Sequence, residues 1–370
     1  MARRSPSAPP PLAGFSYVNP LGTGGFADVF LYQQQMPRRQ VAVKVLLRNL
    51  VDDEVTRMFN AEADVMARLG SHPSIVTVYE AGIAPDGRPY IAMEHCPVAM
   101  SQRYKSETIP VAEVLRIGIS IAGAVESAHR AGVLHRDIKP SNILVTTFGA
   151  PVLADFGIAT SLASTSSVLA MSVPWSAPEV VTDTTSGTVA SEVWSLGATV
   201  YTLLAGRSPF EIDVKGGNVN SELVKRVAKA RYTPIGRADV PASLEAVLRQ
   251  SMARSPGDRQ PTAADLALQL QQVEHEMGLA VTRLEVARSE AAFSAPPVVF
   301  DDGDARGVVR SHVPVPSQRA PRRQRITAHT TDLTQDAPRR AVPLAAALWA
   351  GAGLLAVIAV LVTWIVLSGR

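Results

Sequence analysis

The octet from His135 to Asn142, reading HRDIKPSN, and the triplet Asp155, Phe156, Gly157 that follows it constrain this chain more than any other stretch. They supply, in loop-forming surroundings, an acid that can accept a hydroxyl proton, an amide oxygen and a second acid that can hold metal. Phosphate transfer from a nucleotide requires groups of this kind. Alone, an Arg-Asp pair beside a Pro-Ser-Asn turn is equally well the loop that ends a helix. Other motifs at compatible spacing must separate the two readings.

The chain has 370 residues, 46% of them apolar, enough for a large two-lobed domain with something appended. Its net charge is only +3, and arginines concentrate between Arg319 and Arg340 instead of spreading as a nucleic-acid footprint, so no nucleic-acid partner is expected. Cys96 is the only cysteine, which excludes an intrachain disulfide and a cysteine-based metal cluster. Arg3 and Arg4 are followed by Pro and Ser, not by the apolar run of a signal peptide. Residues 1–12 read as a disordered leader, too poor in apolar side chains to offset the entropy of ordering.

From Phe15 the pattern alternates. LGTGGFADVFL places Leu21, Gly22, Gly24 and Gly25 at the tip of a hairpin that continues through Val29. Glycine lets backbone amides approach phosphate oxygens closely; a flexible surface hairpin accounts equally for a lone glycine loop. In VAVKVL, a short buried strand, Lys44 is the odd member, and it needs either anions around its ammonium or an edge position from which to snorkel. Residues 52–69 read as an amphipathic helix carrying Glu62, either a solvated charge or the partner of Lys44. Two further strands, IVTVYEAG and PYIAMEHC, turn through Pro85, Asp86 and Gly87. A long helix over 111–131 stops at Gly132, and the octet follows; NILV and PVLADFG then form a second short hairpin that leaves the acids in loops.

With these motifs in order, residues 15–274 resemble a eukaryotic-type (Hanks-type) protein Ser/Thr kinase of the bacterial membrane-anchored branch. The resemblance implies an α+β, bilobal protein-kinase-like fold over residues 13–275. A small antiparallel sheet with one helix would occupy 13–96 and a larger, mainly helical lobe 97–275. It implies Asp137 as the base that takes the substrate hydroxyl proton, Asn142 and Asp155 as Mg²⁺ ligands (Mn²⁺ being an alternative) and Lys44 on the ATP phosphates, fixed by Glu62. Lys139 would steady the γ-phosphate. Leu21, Gly22, Gly24, Val29, Ala42 and Leu144 would enclose the nucleotide, with Met93 as gatekeeper and Glu94 and Cys96 offering backbone groups to adenine.

Between Gly157 and Ala177 lies a hydroxyl cluster, Ser164, Thr165, Ser166 and Ser167. It is a solvated polar loop or, by the resemblance, an activation segment phosphorylated in trans and ordered by Arg136. Glu179 of APEVV would pair with Arg259 of SPGDRQPTA. Departures from the family pattern are Glu192 for Asp, Trp175 for Tyr, Met171 for Gly and Ala27 for the third loop glycine; Ser172 keeps a hydroxyl. Glu192 and Trp175 keep open a different class, a pseudokinase or nucleotide-binding scaffold.

The tail reads as a helix-compatible piece over 277–293 within a juxtamembrane helix and disordered linker at 276–340, then 25 uncharged residues at 343–367. A helix of that length spans about 37 Å, against a hydrocarbon core of about 30 Å. Trp349 and Trp364 lie near its ends, and Arg339 and Arg340 precede it. The expectation is a single-pass cell-membrane anchor with the kinase domain cytoplasmic and no room for an outer sensor. Gly351 and Gly353 would allow helix pairing in a homodimer. Thr327, Thr330, Thr331 and Thr334 would offer phosphothreonines to a reading partner, alongside protein substrates.

Overall fold

The computed structural model describes residues 4–51, 53–156, 172–213 and 217–287. The chain divides into units Met1–Pro297 and Val298–Arg370, and every described residue belongs to the first. Gly157, the hydroxyl cluster Ser164 to Ser167, Met171, the tail threonines and the apolar stretch 343–367 lie outside the described residues.

The smaller lobe is an antiparallel sheet of β1 (Phe15–Thr23), β2 (Ala27–Gln34), β3 (Arg39–Leu46), β4 (Val78–Ile83) and β5 (Pro89–Glu94), in the order β1-β2-β3-β5-β4. Helix α1 (Asp53–Leu69) packs on one face. The alternation in β3 sets the two faces: Ala42 and Leu46 meet Phe59 and Met66 of α1, whereas Val41, Val43 and Val45 meet Phe30, Tyr32 and Leu12 on the other side. An apolar outer face needs a cover, and the leader supplies it.

Residues 4–12, expected to be disordered, instead lie on that face. Leu12 is buried, the Tyr32 hydroxyl donates to the Pro10 carbonyl at 2.6 Å, and Arg88 donates to Ser7 Oγ at 3.1 Å and to the Ala8 carbonyl at 2.7 Å. Arg4 pairs with the buried Asp28, beside the tip of the glycine hairpin. Prolines already restricted in φ lose little entropy when laid down, which is why so apolar-poor a segment can order.

The larger lobe begins with β6 (Val98–Ala99), α2 (Met100–Ser106) and α3 (Val111–Arg130), then β7 (Ile143–Val145) and β8 (Pro151–Leu153), which join β6 in a three-stranded sheet. It continues through α4 (Pro178–Val181), α5 (Val189–Ala205), α6 (Asn220–Lys229), α7 (Ala242–Ser251) and α8 (Ala263–Glu276). The apolar sequence of α5 buries it from Ser191 to Leu204, between a Thr188/Ser191 capping box and Gly206, at φ 69°. Ala124 and Ala128 of α3 join Met66, Leu69 and Phe156 in one core that links the lobes behind the cleft.

The helix expected over 277–293 does not form in its described part. Gly278, at φ 67°, donates to the His275 carbonyl at 3.0 Å and Leu279 to the Glu274 carbonyl at 2.9 Å, a Schellman stop, and residues 279–287 run on without helix.

Candidate active site

Lys44 lies in β3, yet its ammonium is satisfied. It sits 2.7 Å from Glu62 Oε1 on α1 and 3.0 Å from Asp155 Oδ1 beyond β8. Burial alone would pull Lys44 down, but the Asp155 and Glu62 carboxylates outweigh it and hold the ammonium above its ordinary range. Burial raises Glu62 despite Lys44, while Asp155, opposed by the same desolvation, is held below the usual carboxylate range by Lys44. The snorkelling alternative for Lys44 and the solvated alternative for Glu62 are both excluded.

The octet forms the opposite wall. His135 is fully buried; its Nε2–H donates to the Ala154 carbonyl at 3.0 Å, and its Nδ1 accepts the Asp137 N–H at 3.3 Å. Burial pushes its pKa down, so the ring is neutral and one tautomer is fixed. Because the unfolded chain gains this proton first, His135 favours folding above about pH 6.5 and costs stability as pH falls below that value. A His135→Asn variant should therefore lose less stability between pH 7.5 and 5.5 than the parent, as read from urea midpoints.

Asp137 is oriented on both oxygens. Oδ1 accepts from the Ser172 hydroxyl at 2.7 Å; Oδ2 faces Lys139 Nζ at 2.7 Å and the Asn142 amide nitrogen at 3.0 Å. Lys139 also donates to Ser172 Oγ at 3.0 Å, closing a triangle of acid, ammonium and hydroxyl. The Asn142 carbonyl accepts from the Ala154 N–H at 2.8 Å, which sets Asn142 beside the chain entering Asp155. Among the described residues there is no group of three or more His, Cys, Asp or Glu able to hold a metal. Asn142 and Asp155 are hard oxygen donors, too few to cage an ion alone. They fit a Mg²⁺ that takes its other ligands from water and phosphate.

Arg136 and Asp155 both adopt left-handed backbone conformations, φ 64° and 59°, which for non-glycine residues persist only where the surroundings enforce them. For Arg136 the enforcement comes from Glu192, the family departure: Oε1 accepts the Arg136 N–H, and Oε2 meets His129 Nε2 at 2.6 Å. The longer side chain still reaches the loop, and its second oxygen is held by α3. Glu192→Ala would orphan the Arg136 N–H at a cost of about 1–3 kcal/mol. The expected result is a lower kcat with an unchanged KM for ATP, measured by steady-state kinetics.

Of the residues expected to enclose a nucleotide, Ala42 and Met93 are buried, Val29, Cys96 and Leu144 are half-buried against the same core, and Leu21 is exposed. Gly22 faces open space, while a Cβ at Gly24 would stand 3.0 Å from the Ala27 carbonyl. The Glu94 N–H is taken by the Thr77 carbonyl at 2.9 Å, which fixes the course of the chain toward Cys96. At the base of the lobe Glu179 and Arg259 form a two-bonded pair at 2.7 and 2.8 Å. Trp175 is anchored by its indole N–H on Thr202 Oγ1 at 3.0 Å. The sequence does not mark His129, because a histidine near a helix end carries no signal of what its ring meets.

A family profile described as "Protein kinase domain" matches residues 15–275. The chain belongs to the protein kinase family. The serine/threonine-protein kinase PknK of Mycobacterium tuberculosis is 39% identical over 277 residues, 74% of this kinase chain and 25% of the relative. PrkC of Bacillus subtilis, also a serine/threonine-protein kinase, is 31% identical over 295 residues, covering 78% and 45% of the two chains. The crystal structure of the M. tuberculosis PknI kinase domain aligns with a TM-score of 0.53 at 30% identity, over 74% of this chain and 99% of that one. The chain spans about a quarter of the length of the PknK relatives it matches. A kinase domain of the bacterial Hanks type thus occupies the described unit, and the family works with ATP and a divalent metal.

Proposed function

We propose that this kinase transfers the γ-phosphate of ATP to Ser and Thr hydroxyls of proteins, with Mg²⁺ as its metal and Mn²⁺ as a substitute. The observation that carries the reading is a pair of assembled walls: Lys44 held between Glu62 and Asp155, and Asp137 held between Ser172, Lys139 and Asn142. Asp137 Oδ1 already accepts a hydroxyl hydrogen bond at 2.7 Å, the geometry a general base needs toward an alcohol. Lys44 and Lys139 place positive charge where phosphate oxygens would lie, and bound Mg²⁺, held by Asn142 and Asp155, would neutralise further negative charge. Incubating the full chain with ATP, Mg²⁺ and Ser/Thr peptides should give phosphopeptides and modified Ser164, Thr165, Ser166 or Ser167. Nucleotide binding without any transfer would instead favour a scaffold, a reading weakened by the Glu192 contact with the catalytic loop.

The remaining assignments are proposals on sequence grounds. Arg136 would pair with a phosphate on the activation segment, and Thr327, Thr330, Thr331 or Thr334, once phosphorylated, would dock a phosphothreonine-reading partner. Residues 343–367 would anchor the protein in the cell membrane with the kinase unit cytoplasmic, and would pair through Gly351 and Gly353. Among the described residues no helix is long and apolar enough to cross a membrane. The full chain should stay with membranes through alkaline carbonate extraction, and a chain ending at residue 342 should be released; equal fractionation of the two would refute the anchor.

A further inference from the structure

We propose that residues 279–287, just beyond the kinase family match, are a positioning strap: they tie the last helix of the large lobe to the corner between α1 and β4, and so help to hold Glu62 against Lys44. The strap starts on α8, where Thr282 donates through its N–H to Glu274 Oε2 at 2.7 Å and through its hydroxyl to Oε1 at 2.6 Å, and Gln271 donates to the Thr282 carbonyl at 2.6 Å. It then crosses α3. Leu284 packs against the large-lobe core, and the Ala287 N–H donates to the buried Ser127 hydroxyl at 2.9 Å.

The crossing requires Gly123. A Cβ there would stand 2.3 Å from the Glu285 carbonyl oxygen and 3.2 Å from Leu284 Cδ1, so only a residue without one lets the strap backbone lie on the helix. Glycine inside a helix costs about 1 kcal/mol relative to alanine. Its use in the middle of α3 thus has a packing reason outside the helix itself.

The far anchor is His72, in the turn that follows α1. Its Nδ1 accepts the Ser74 N–H at 3.0 Å, which leaves Nε2–H to donate to the Glu285 carbonyl at 3.0 Å. The ring is nearly buried, and burial keeps it neutral, the state this pair of bonds needs. On its other side the same corner is gripped by β8: Leu153 donates to the Ser74 carbonyl at 2.9 Å and accepts from the Val76 N–H at 3.0 Å. The corner is therefore clamped between the strand that leads to Asp155 and the strap. Helix α1 ends at Leu69, three residues before His72, and carries Glu62 two turns back, so slack at the corner loosens the 2.7 Å contact with Lys44.

The activity arm of the test rests on the kinase reading, whereas the exchange arm does not. In the full chain, Gly123→Ala removes the seat of the strap with a residue that favours helix, and Leu284→Asp does so from the strap side should the first variant fold poorly. Without nucleotide, amides of α1 should exchange several-fold faster in either variant, and kcat should fall about two- to tenfold with the peptide KM unchanged. His72→Ala combined with Gly123→Ala should be no worse than the stronger single variant, because both act through one strap. If α1 exchange and kcat stay at parental values while the Ala287 amide becomes fast, the strap is only a stabilising appendage. A parental chain with no phosphate transfer would overturn the enzymatic reading, and α1 exchange would still decide on the strap.

Discussion

Asp137→Asn is expected to lower phosphate transfer by about 10²- to 10⁴-fold, the range set by losing a positioned general base. The amide keeps the shape of the carboxylate but cannot accept the substrate proton. Its surroundings make matters worse: the Ser172 hydroxyl addresses one oxygen, Lys139 and the Asn142 amide the other, and all are donors. With its NH2 in the place of Oδ2 the new amide would face two donors, Lys139 and Asn142; with its NH2 in the place of Oδ1 it keeps them and the Ser172 hydroxyl must rotate to accept. ATP binding, which rests on Lys44 and the purine pocket, should change by less than about twofold. Phosphate incorporation with Mg²⁺-ATP, beside a nucleotide titration of the same proteins, reads both effects. Equal incorporation by parent and variant would remove Asp137 from the role of base. Ser172→Ala, which deletes one donor and leaves the carboxylate, should cost much less.

The sequence carried the cleft walls and little of what braces them. Lys44 was legible because a cation in a run of alternating valines has few ways to be satisfied, and the order of strand lysine and helix glutamate suggested the partner that the structure provides. The octet was legible because its residue types have few joint uses. By contrast, the leader on the sheet and the strap on α3 are held in large part through main-chain groups: the carbonyls of Pro10, Ala8 and Glu285 and the N–H of Ala287. Every sequence has such groups, so no pattern marks those that will be used. Glu192 was legible only in part. Against the family norm its extra methylene reads as a misfit, and only the position of α3 shows that the second oxygen meets His129.

Arg259→Ala should be strongly destabilising, by about 3–5 kcal/mol. The Arg259 side chain is fully buried and donates to both oxygens of Glu179, to the carbonyls of Ala253 and Ala190 at 2.9 Å each and to that of Arg254 at 3.2 Å; it also faces the Trp194 ring at 5.0 Å. Alanine removes all of these at once and leaves three carbonyls and a carboxylate without their donor. Glu179→Ala should cost less, because the stranded guanidinium keeps its carbonyl partners while the Glu179 side chain, 14% exposed, was never fully dry. Arg259→Lys keeps the charge but not the planar fork, so it should recover only part of the loss. Against a total domain stability of about 5–15 kcal/mol, the alanine variant should show a clearly lowered urea midpoint and rapid proteolysis at 37 °C. The double variant should be less destabilised than the sum of the singles, since the second change removes the charge that the first left unpaired. Strict additivity would mean that the two residues do not act as a pair, and that the segment ending in Glu179 is tied to the large lobe by other contacts.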